Sequence, residues 1–502
     1  MGIVQRQSLN LTIVSYAGAA LGFVNKVLLF TNFLTTAQVG LANVLMTVAI
    51  FYAQFAALGM TSIGIRFFPY FENKEKKHHG FLFWGNAIVF GGFVLVTIIF
   101  LLFKPLIVKH YSTESPMLVE YYNYLIPLAF SIVYFQFFDT YLRALLKTVV
   151  ATFINEIFAR ILVTLCISLY AFKLIDFHQF VAIYVASNLL LTVILVVYVL
   201  YLKQLHIMPV RSPLFKRLFK AIMLYGIFTI LSSIGGAIIR NIDTLMVTGM
   251  LNLSKAGIYT TIFSFPVLIS LPFRSIQRAT YPLIARFWRK KDLTSMADLY
   301  HKTTVITMVL GGILFLGIWV NLTSIFSFMP NDYSEGKYAL LFLALATYVD
   351  MITGLNGIIL VTSKMYRYDL WLMFLLIAVT IVSNLIFIPV YGITGAAIAA
   401  AVSVIINNLV RLLFVQYFFK MQPFGMNCVW VLVITALTWL VSLLIPQTGN
   451  RYINIAINSV IISVVYLTPI LLLKLSPDVN KMAYNFTKLK FLKPDETPTK
   501  AS

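Results

Sequence analysis

The sequence predicts an all-α integral membrane protein with about fourteen transmembrane helices, arranged as six, six and an extra C-terminal pair. Three observations predict it. Of 502 residues, 60% are hydrophobic and 11% charged, and the mean hydropathy is +0.90. A soluble chain cannot bury that much apolar surface and still cover itself with polar groups. Apolar runs of about 20 residues, long enough to cross a bilayer as helices, recur from end to end. The second half of the chain also restarts the pattern of the first.

The first six spans fall at about 9–33, 39–65, 80–103, 118–142, 150–172 and 179–202. Met1–Asn10 lacks the apolar core and small-residue cleavage site of a secretory signal, so the first apolar segment is expected to stay as span 1. "LKQLHIMPVRSPLFKRLFK", with two prolines and five Lys/Arg, follows at 202–220. It reads as a basic cytoplasmic linker (203–217) between an N-terminal six-helix bundle (1–202) and a C-terminal one (218–420). The second six spans fall at 218–250, 256–282, 303–326, 336–362, 368–388 and 393–419. Spans 13 and 14 (426–445 and 452–475) make the extra pair within 421–475, and 476–502 is a basic cytoplasmic tail. That tail interleaves apolar residues with lysine, which suits the inner membrane surface, before a polar Pro-rich end expected to be disordered.

Charge sets the orientation. Counting span ends with the loops they adjoin, 29 of the 38 Lys and Arg lie in segments that are inside if the N-terminus is inside, against 6 outside. That bias predicts cytoplasmic termini. It also accounts for most of the net +21 as topology and contact with anionic lipid headgroups, leaving no need for a nucleic-acid partner.

The repeat rests on matched positions. "LTTAQVGLANVL" leads to a helix ending "IRFFPYFENKEKK"; "LNLSKAGIYTTI" leads to one ending "TYPLIARFWRKKD". Asn25-Lys26 precedes Gly40 by 15 and 14 residues, and Asp243 precedes Gly257 by 14. Repeated halves that rock around a central site are a common transporter plan.

Few charges sit inside the apolar spans: Lys26, Glu156, Arg160, Arg240, Asp243 and Asp350. An ionised group at mid-bilayer costs a few kcal/mol, so it faces a cavity or a partner. Glu156–Arg160 and Arg240–Asp243 are spaced i,i+4 and i,i+3, each on one helix face. Two readings stand: intrahelical ion pairs that neutralise each other, or polar groups of a transport site. Lys26 has no acidic neighbour in its own helix and points most directly to a polar cavity, although it can also pair with Asp243. From Ala221 to Asn252 a straight helix would reach about 48 Å at 1.5 Å per residue, against a hydrocarbon core of about 30 Å. A bend at "SSIGGA" is therefore expected.

Other classes fit poorly. Cys166 and Cys428 both lie in apolar segments, and neither they nor the six histidines show metal-ligand spacing. There is no Walker A motif, no nucleophile–base constellation and no selectivity-filter element. Neither enzyme activity nor a cofactor is expected. Stretches of small residues, such as Gly18 and Gly22, Gly235-Gly236 and "YGITGAAIAAAVS", suit close helix packing.

The segments "VGLANVLMTVAIFYAQFAALGMTSIGIRFFPYF", "RNIDTLMVTGMLNLSKAGIYTTIFSFP" and "IFIPVYGITGAAIAAAVSVIINNLVR" carry a resemblance along nearly the whole chain. It resembles the polysaccharide (O-antigen type) flippases of the multidrug/oligosaccharidyl-lipid/polysaccharide exporter superfamily. The resemblance implies two six-helix bundles around a central cavity and alternating access. Its implied cargo is an undecaprenyl-diphosphate-linked oligosaccharide moved from the inner to the outer leaflet of the bacterial cytoplasmic (inner) membrane, for lipopolysaccharide O-antigen or other cell-surface polysaccharide. "ALGFVNKVLLF" is similar to the "LGFVRD" segment of the related lipid II flippases, with Asn25 and Lys26 where that branch has Arg and Asp. Arginines carried by that branch in spans 2 and 8 have no counterpart around Gln54 and Ser264, which favours a different lipid-linked glycan.

The expected site follows. Lys26, Arg240 and Arg160, with Asn25, bind the diphosphate. Asp243, Glu156 and Asp350 serve coupling or charge pairing. The isoprenoid tail stays in lipid, against spans 13 and 14. Membrane lipids are partners, and a polysaccharide polymerase and glycosyltransferases are candidate ones. A cation-coupled multidrug exporter of the same superfamily, or a non-transporting subunit of a glycan-assembly complex, are the alternatives.

Overall fold

The computed structural model describes residues 2–73, 75, 77–206 and 213–487. Linker residues 207–212 and tail residues 488–502, part of the expected linker and tail, lie outside the described residues. Among the described residues all regular structure is helical. Two compact units divide between Thr261 and Ile262.

The first unit opens with α1 (Gly2–Phe23), which continues through a π-helical turn, Val24–Leu29, into one last turn, Phe30–Phe33. Next come α2 (Thr36–Ala56), α3 (Met60–Phe71), α4 (Phe81–Leu102) and α5 (Leu125–Ala144). A short helix at Thr148–Phe153 passes through a second π-helical turn, Ile154–Phe158, into α6 (Ala159–Ala171). Then follow α7 (Phe177–Tyr201), α8 (Pro213–Met250) and α9 (Leu253–Ile262). Two starts carry reciprocal caps: Thr35 with Gln38 for α2 and Asp176 with Gln179 for α7. In each, the cap side chain takes one orphan N–H and the glutamine returns to the cap's own N–H.

Helix α5 is the centre of this unit. It packs against α2, α3, α4 and α7, with Leu128, Val133, Phe137 and Phe138 buried. Apolar side chains gain little from leaving lipid for protein, so close fit and interhelical hydrogen bonds hold such bundles. Thr192 Oγ1 to Ser131 O (2.8 Å) and Tyr141 Oη to Gln204 O (3.0 Å) are two such bonds.

The second unit holds α10 (Ser264–Lys290), α11 (Leu293–Val320), α12 (Lys337–Thr353), α13 (Asn356–Thr362), α14 (Tyr366–Phe419), α15 (Met426–Ser442), α16 (Arg451–Leu472) and α17 (Pro477–Thr487). Helices α12 and α14 pack along each other, and α15 and α16 dock on α11 through a core of Met308, Val309, Val431, Ile462 and Tyr466.

Twelve helices among the described residues are long and apolar enough to cross a membrane, where the sequence led us to expect fourteen. Two local causes explain the difference. Expected spans 11 and 12 are the two arms of α14, which breaks at Gly392 (φ 59°, ψ −133°) three residues after Pro389, so that they count once among the twelve. Expected span 13 is the 17-residue α15, short for a full crossing. The expected bend in span 7 is also not marked by any break: α8 is helical from Pro213 through "SSIGGA" to Met250.

Candidate functional site

The first unit gathers four of the seven expected site residues on two helices. Each helix widens into a π-helical turn at that point, and such turns occur often at functional sites. Asn25 lies in the first turn and is only 3% exposed. Its Nδ2 donates to Arg160 O at 2.8 Å, and its Oδ1 accepts from Thr164 Oγ1 at 2.8 Å. Both ends of the amide are engaged, so Asn25 clamps α1 to the start of α6. Gly18 allows the same approach about two turns earlier: a Cβ there would lie 2.4 Å from Glu156 O.

The clamp brings three charges together. Arg160 Nη2 pairs with Glu156 Oε2 at 3.0 Å, with the side chains 29% and 26% exposed. Arg160 Nη1 also donates to Asn155 O, while Asn155 Nδ2 donates to Glu156 Oε1 at 3.2 Å. Lys26 is exposed, and no carboxylate comes within ion-pair distance of its ammonium among the described residues. The charge that bears on it is the like charge of Arg160. Two cations thus face one carboxylate inside segments apolar enough to span a membrane. An unmatched cation in such a place calls for an anion or a water-filled space.

Arg240 and Asp243 belong to another set of contacts. They lie on α8, which packs on α2 and α3. The Arg240 guanidinium sits over Gly236, one turn back, and Asp243 Oδ2 accepts from Tyr259 Oη on α9 at 3.3 Å. Lys26 and Asp243 do not pair. In the second unit, Asp350 on α12 is exposed and accepts from Asn408 Nδ2 on α14 at 2.9 Å.

Several residues escaped the sequence reading. Asn155, Thr164 and Tyr259 are uncharged, so intramembrane charge does not mark them. Arg274 and Arg411 are charged but lie toward span ends, where charge alone reads as loop. Helix α10 extends to Lys290 and places Arg274 within a spanning helix, and Arg411 pairs with Asp369 at 2.7 Å. The doublet Asn407-Asn408 in an apolar run was the available signal for Asn408.

Comparisons with known proteins agree with this architecture. The chain is 21% identical over 213 residues to the "Probable low-salt glycan biosynthesis flippase Agl15" of Haloferax volcanii, which covers 42% of this chain and 45% of that one. The chain therefore matches less than half the length of that relative. Its fold is similar to a lipid II flippase MurJ in an inward closed conformation, with TM-score 0.74 and 14% identity over 95% of this chain and 99% of that one. It is also similar to an inward-facing multidrug resistance MATE family transporter of the MOP superfamily, with TM-score 0.59 and 16% identity over 82% and 94%. A MOP superfamily transporter from Pyrococcus furiosus matches with TM-score 0.52 and 15% identity over 83% and 95%. At these identities the structural likenesses show the fold alone, which is that of a multi-pass membrane protein. The profile of the polysaccharide biosynthesis protein family matches residues 4–288, more than half of the sequence, and the chain belongs to that family.

Proposed function

We propose that the protein is a flippase that moves an undecaprenyl-diphosphate-linked oligosaccharide from the inner to the outer leaflet of the cytoplasmic membrane by alternating access, for cell-surface polysaccharide synthesis. The observation that carries this reading is the unmatched Lys26 beside the Arg160–Glu156 pair, within spanning helices. Family membership and the flippase relative support it.

The physics is direct. A glycan head cannot cross hydrocarbon, because its hydroxyls would lose their hydrogen bonds to water. A hydrated path with a local excess of positive charge lets the diphosphate leave water at smaller cost. Lys26 supplies an ammonium with no competing carboxylate. Arg160 offers a guanidinium that can exchange Glu156 for a phosphate oxygen, a planar fork suited to bidentate contact. Asn25 holds the two helices so that these cations stay close. Arg240, with Asp243 and Tyr259, is a further cation for the moving diphosphate, and Asp243 and Glu156 serve charge pairing or coupling. Two negative charges moving outward across a membrane that is negative inside gain about 4.6 kcal/mol per 100 mV. The potential thus favours export.

The test is a deletion of the gene in its own cells. The flippase reading expects lipid-linked oligosaccharide to accumulate on the inner leaflet, surface polysaccharide to fall, and drug susceptibility to stay unchanged. Normal surface polysaccharide combined with heightened drug sensitivity would overturn it in favour of drug export.

A further inference from the structure

The second unit carries a line of hydrogen-bonded side chains that diphosphate binding does not use. It starts at α13, where the Gly357 N–H donates to Asn356 Oδ1 at 2.5 Å. That bond fixes which end of the Asn356 amide donates, and its Nδ2 gives to Asn408 Oδ1 at 3.1 Å. Asn408 Nδ2 in turn gives to Asp350 Oδ1 at 2.9 Å and to Val404 O at 3.1 Å. Asn356 and Asn408 are 3% and 2% exposed, whereas Asp350 is exposed. The buried amides together orient one carboxyl group. Its second oxygen has no partner among the described residues.

The surrounding charge narrows what such a carboxyl can take. Arg274 on α10 and Arg411 on α14 both act electrostatically on Asp350. Arg411 is already held by Asp369, and its buried Nε lacks a hydrogen-bond partner. Two guanidinium groups disfavour a bound metal cation, and two carboxylates disfavour a second phosphate. A neutral polyol suffers neither repulsion. Each of its hydroxyls both donates and accepts, so it matches a fixed carboxyl oxygen in a field of mixed charge.

The geometry points to a sugar-hydroxyl site at Asp350, positioned by Asn408 and Asn356, that binds the neutral glycan of the cargo. This inference rests on the flippase reading, because only a lipid-linked glycan presents such a group here.

The experiment uses the full chain in lipid nanodiscs and two probes. One is lipid-linked oligosaccharide extracted from the protein's own cells; the other is undecaprenyl diphosphate without sugar. The wild type is expected to bind the first at least about tenfold more tightly, the scale of one hydrogen bond to a charged group. Asp350→Ala is expected to erase that preference and leave the affinity for the sugarless lipid unchanged. Asn408→Ala, which unpins the carboxyl, reads the same way if Asp350→Ala folds poorly. A full preference retained in these variants, or none in the wild type, overturns the inference and leaves the line as helix packing. Lost Na+ or proton dependence with the preference intact assigns Asp350 to coupling and overturns it too. A wild type that binds neither probe overturns the flippase reading itself.

Discussion

Gly40 and Gly257 are packed against each other reciprocally. A Cβ on Gly40 would lie 1.9 Å from Leu253 O, one turn before Gly257, and a Cβ on Gly257 would lie 2.0 Å from Thr36 O, one turn before Gly40. Thr36 Oγ1 and Ser254 Oγ share a hydrogen bond at 2.6 Å beside the contact. Alanine at either position must push α2 and α9 apart. Gly40→Ala or Gly257→Ala is expected to cost about 1–3 kcal/mol, the usual range for overpacking. The double variant should cost less than the sum, because one separation relieves both clashes. Thermal unfolding in detergent checks this, and an unchanged midpoint in both single variants would contradict it.

That contact shows what was legible in the sequence. The repeat aligned Gly40 with Gly257 through their matched neighbours, and those glycines are the ones that touch. Span lengths and positions were legible because apolar runs have a physical minimum length. Three things were not. Hydropathy does not register the π-helical turns at Val24–Leu29 and Ile154–Phe158, since an extra residue per turn leaves composition unchanged. The sharp break at Gly392 depends on a left-handed backbone geometry that Pro389 and Gly392 permit without dictating. Pairing across helices was also open: Lys26 had Asp243 as a possible partner by spacing, and the fold gives Asp243 to Tyr259 instead.

Asn25 and Lys26 should behave in opposite ways despite being adjacent. Asn25→Ala removes two interhelical hydrogen bonds in a buried place and is expected to cost about 1–3 kcal/mol of stability. Lys26→Ala breaks no ion pair and should stay within about 0.5 kcal/mol of wild type. Chemical or thermal unfolding of the two purified variants, with the reverse order as the contradicting result, decides between clamp and site.

Acid should loosen the contact between the loop before α4 and the end of α7. Asn73 N–H donates to His78 Nδ1 at 3.2 Å, and His78 Nε2 meets Gln204 Oε1 at 2.7 Å. This places the His78 proton on Nε2. The His206 ring lies 5.9 Å from that of His78. Burial, then His78, then Lys77 hold the His206 imidazole below its ordinary range. A lowered histidine value means that the unfolded chain binds the proton first. The contribution is therefore whole above an unfolded value of about 6.5, falls as pH drops below it, and levels off below the folded value. Unfolding midpoints measured from pH 8 to 5 should fall less steeply in His206→Gln than in wild type. Equal slopes would contradict the assignment.

Removing one partner of the Arg411–Asp369 pair should hurt more than removing both. The two side chains are 22% and 23% exposed, so Asp369→Ala leaves a mostly buried guanidinium without its counter-charge. We expect a loss of about 3 kcal/mol, largely restored when Arg411→Met is added, as happens when apolar groups replace a buried pair. A double variant no more stable than Asp369→Ala would show that the pair itself stabilises the fold.

The central claim is that cations in the first unit move a lipid-linked glycan across the bilayer. The most direct measurement is protein-dependent transfer of labelled lipid-linked oligosaccharide to the opposite leaflet of proteoliposomes, for wild type, Lys26→Ala, Lys26→Arg and Arg160→Ala at equal folded content. Transfer by wild type is expected, with a loss of about tenfold or more in both alanine variants, the scale of one charge-assisted hydrogen bond. Partial recovery is expected in Lys26→Arg. Absence of transfer by the intact wild type, or full transfer by Lys26→Ala and Arg160→Ala, would contradict the claim.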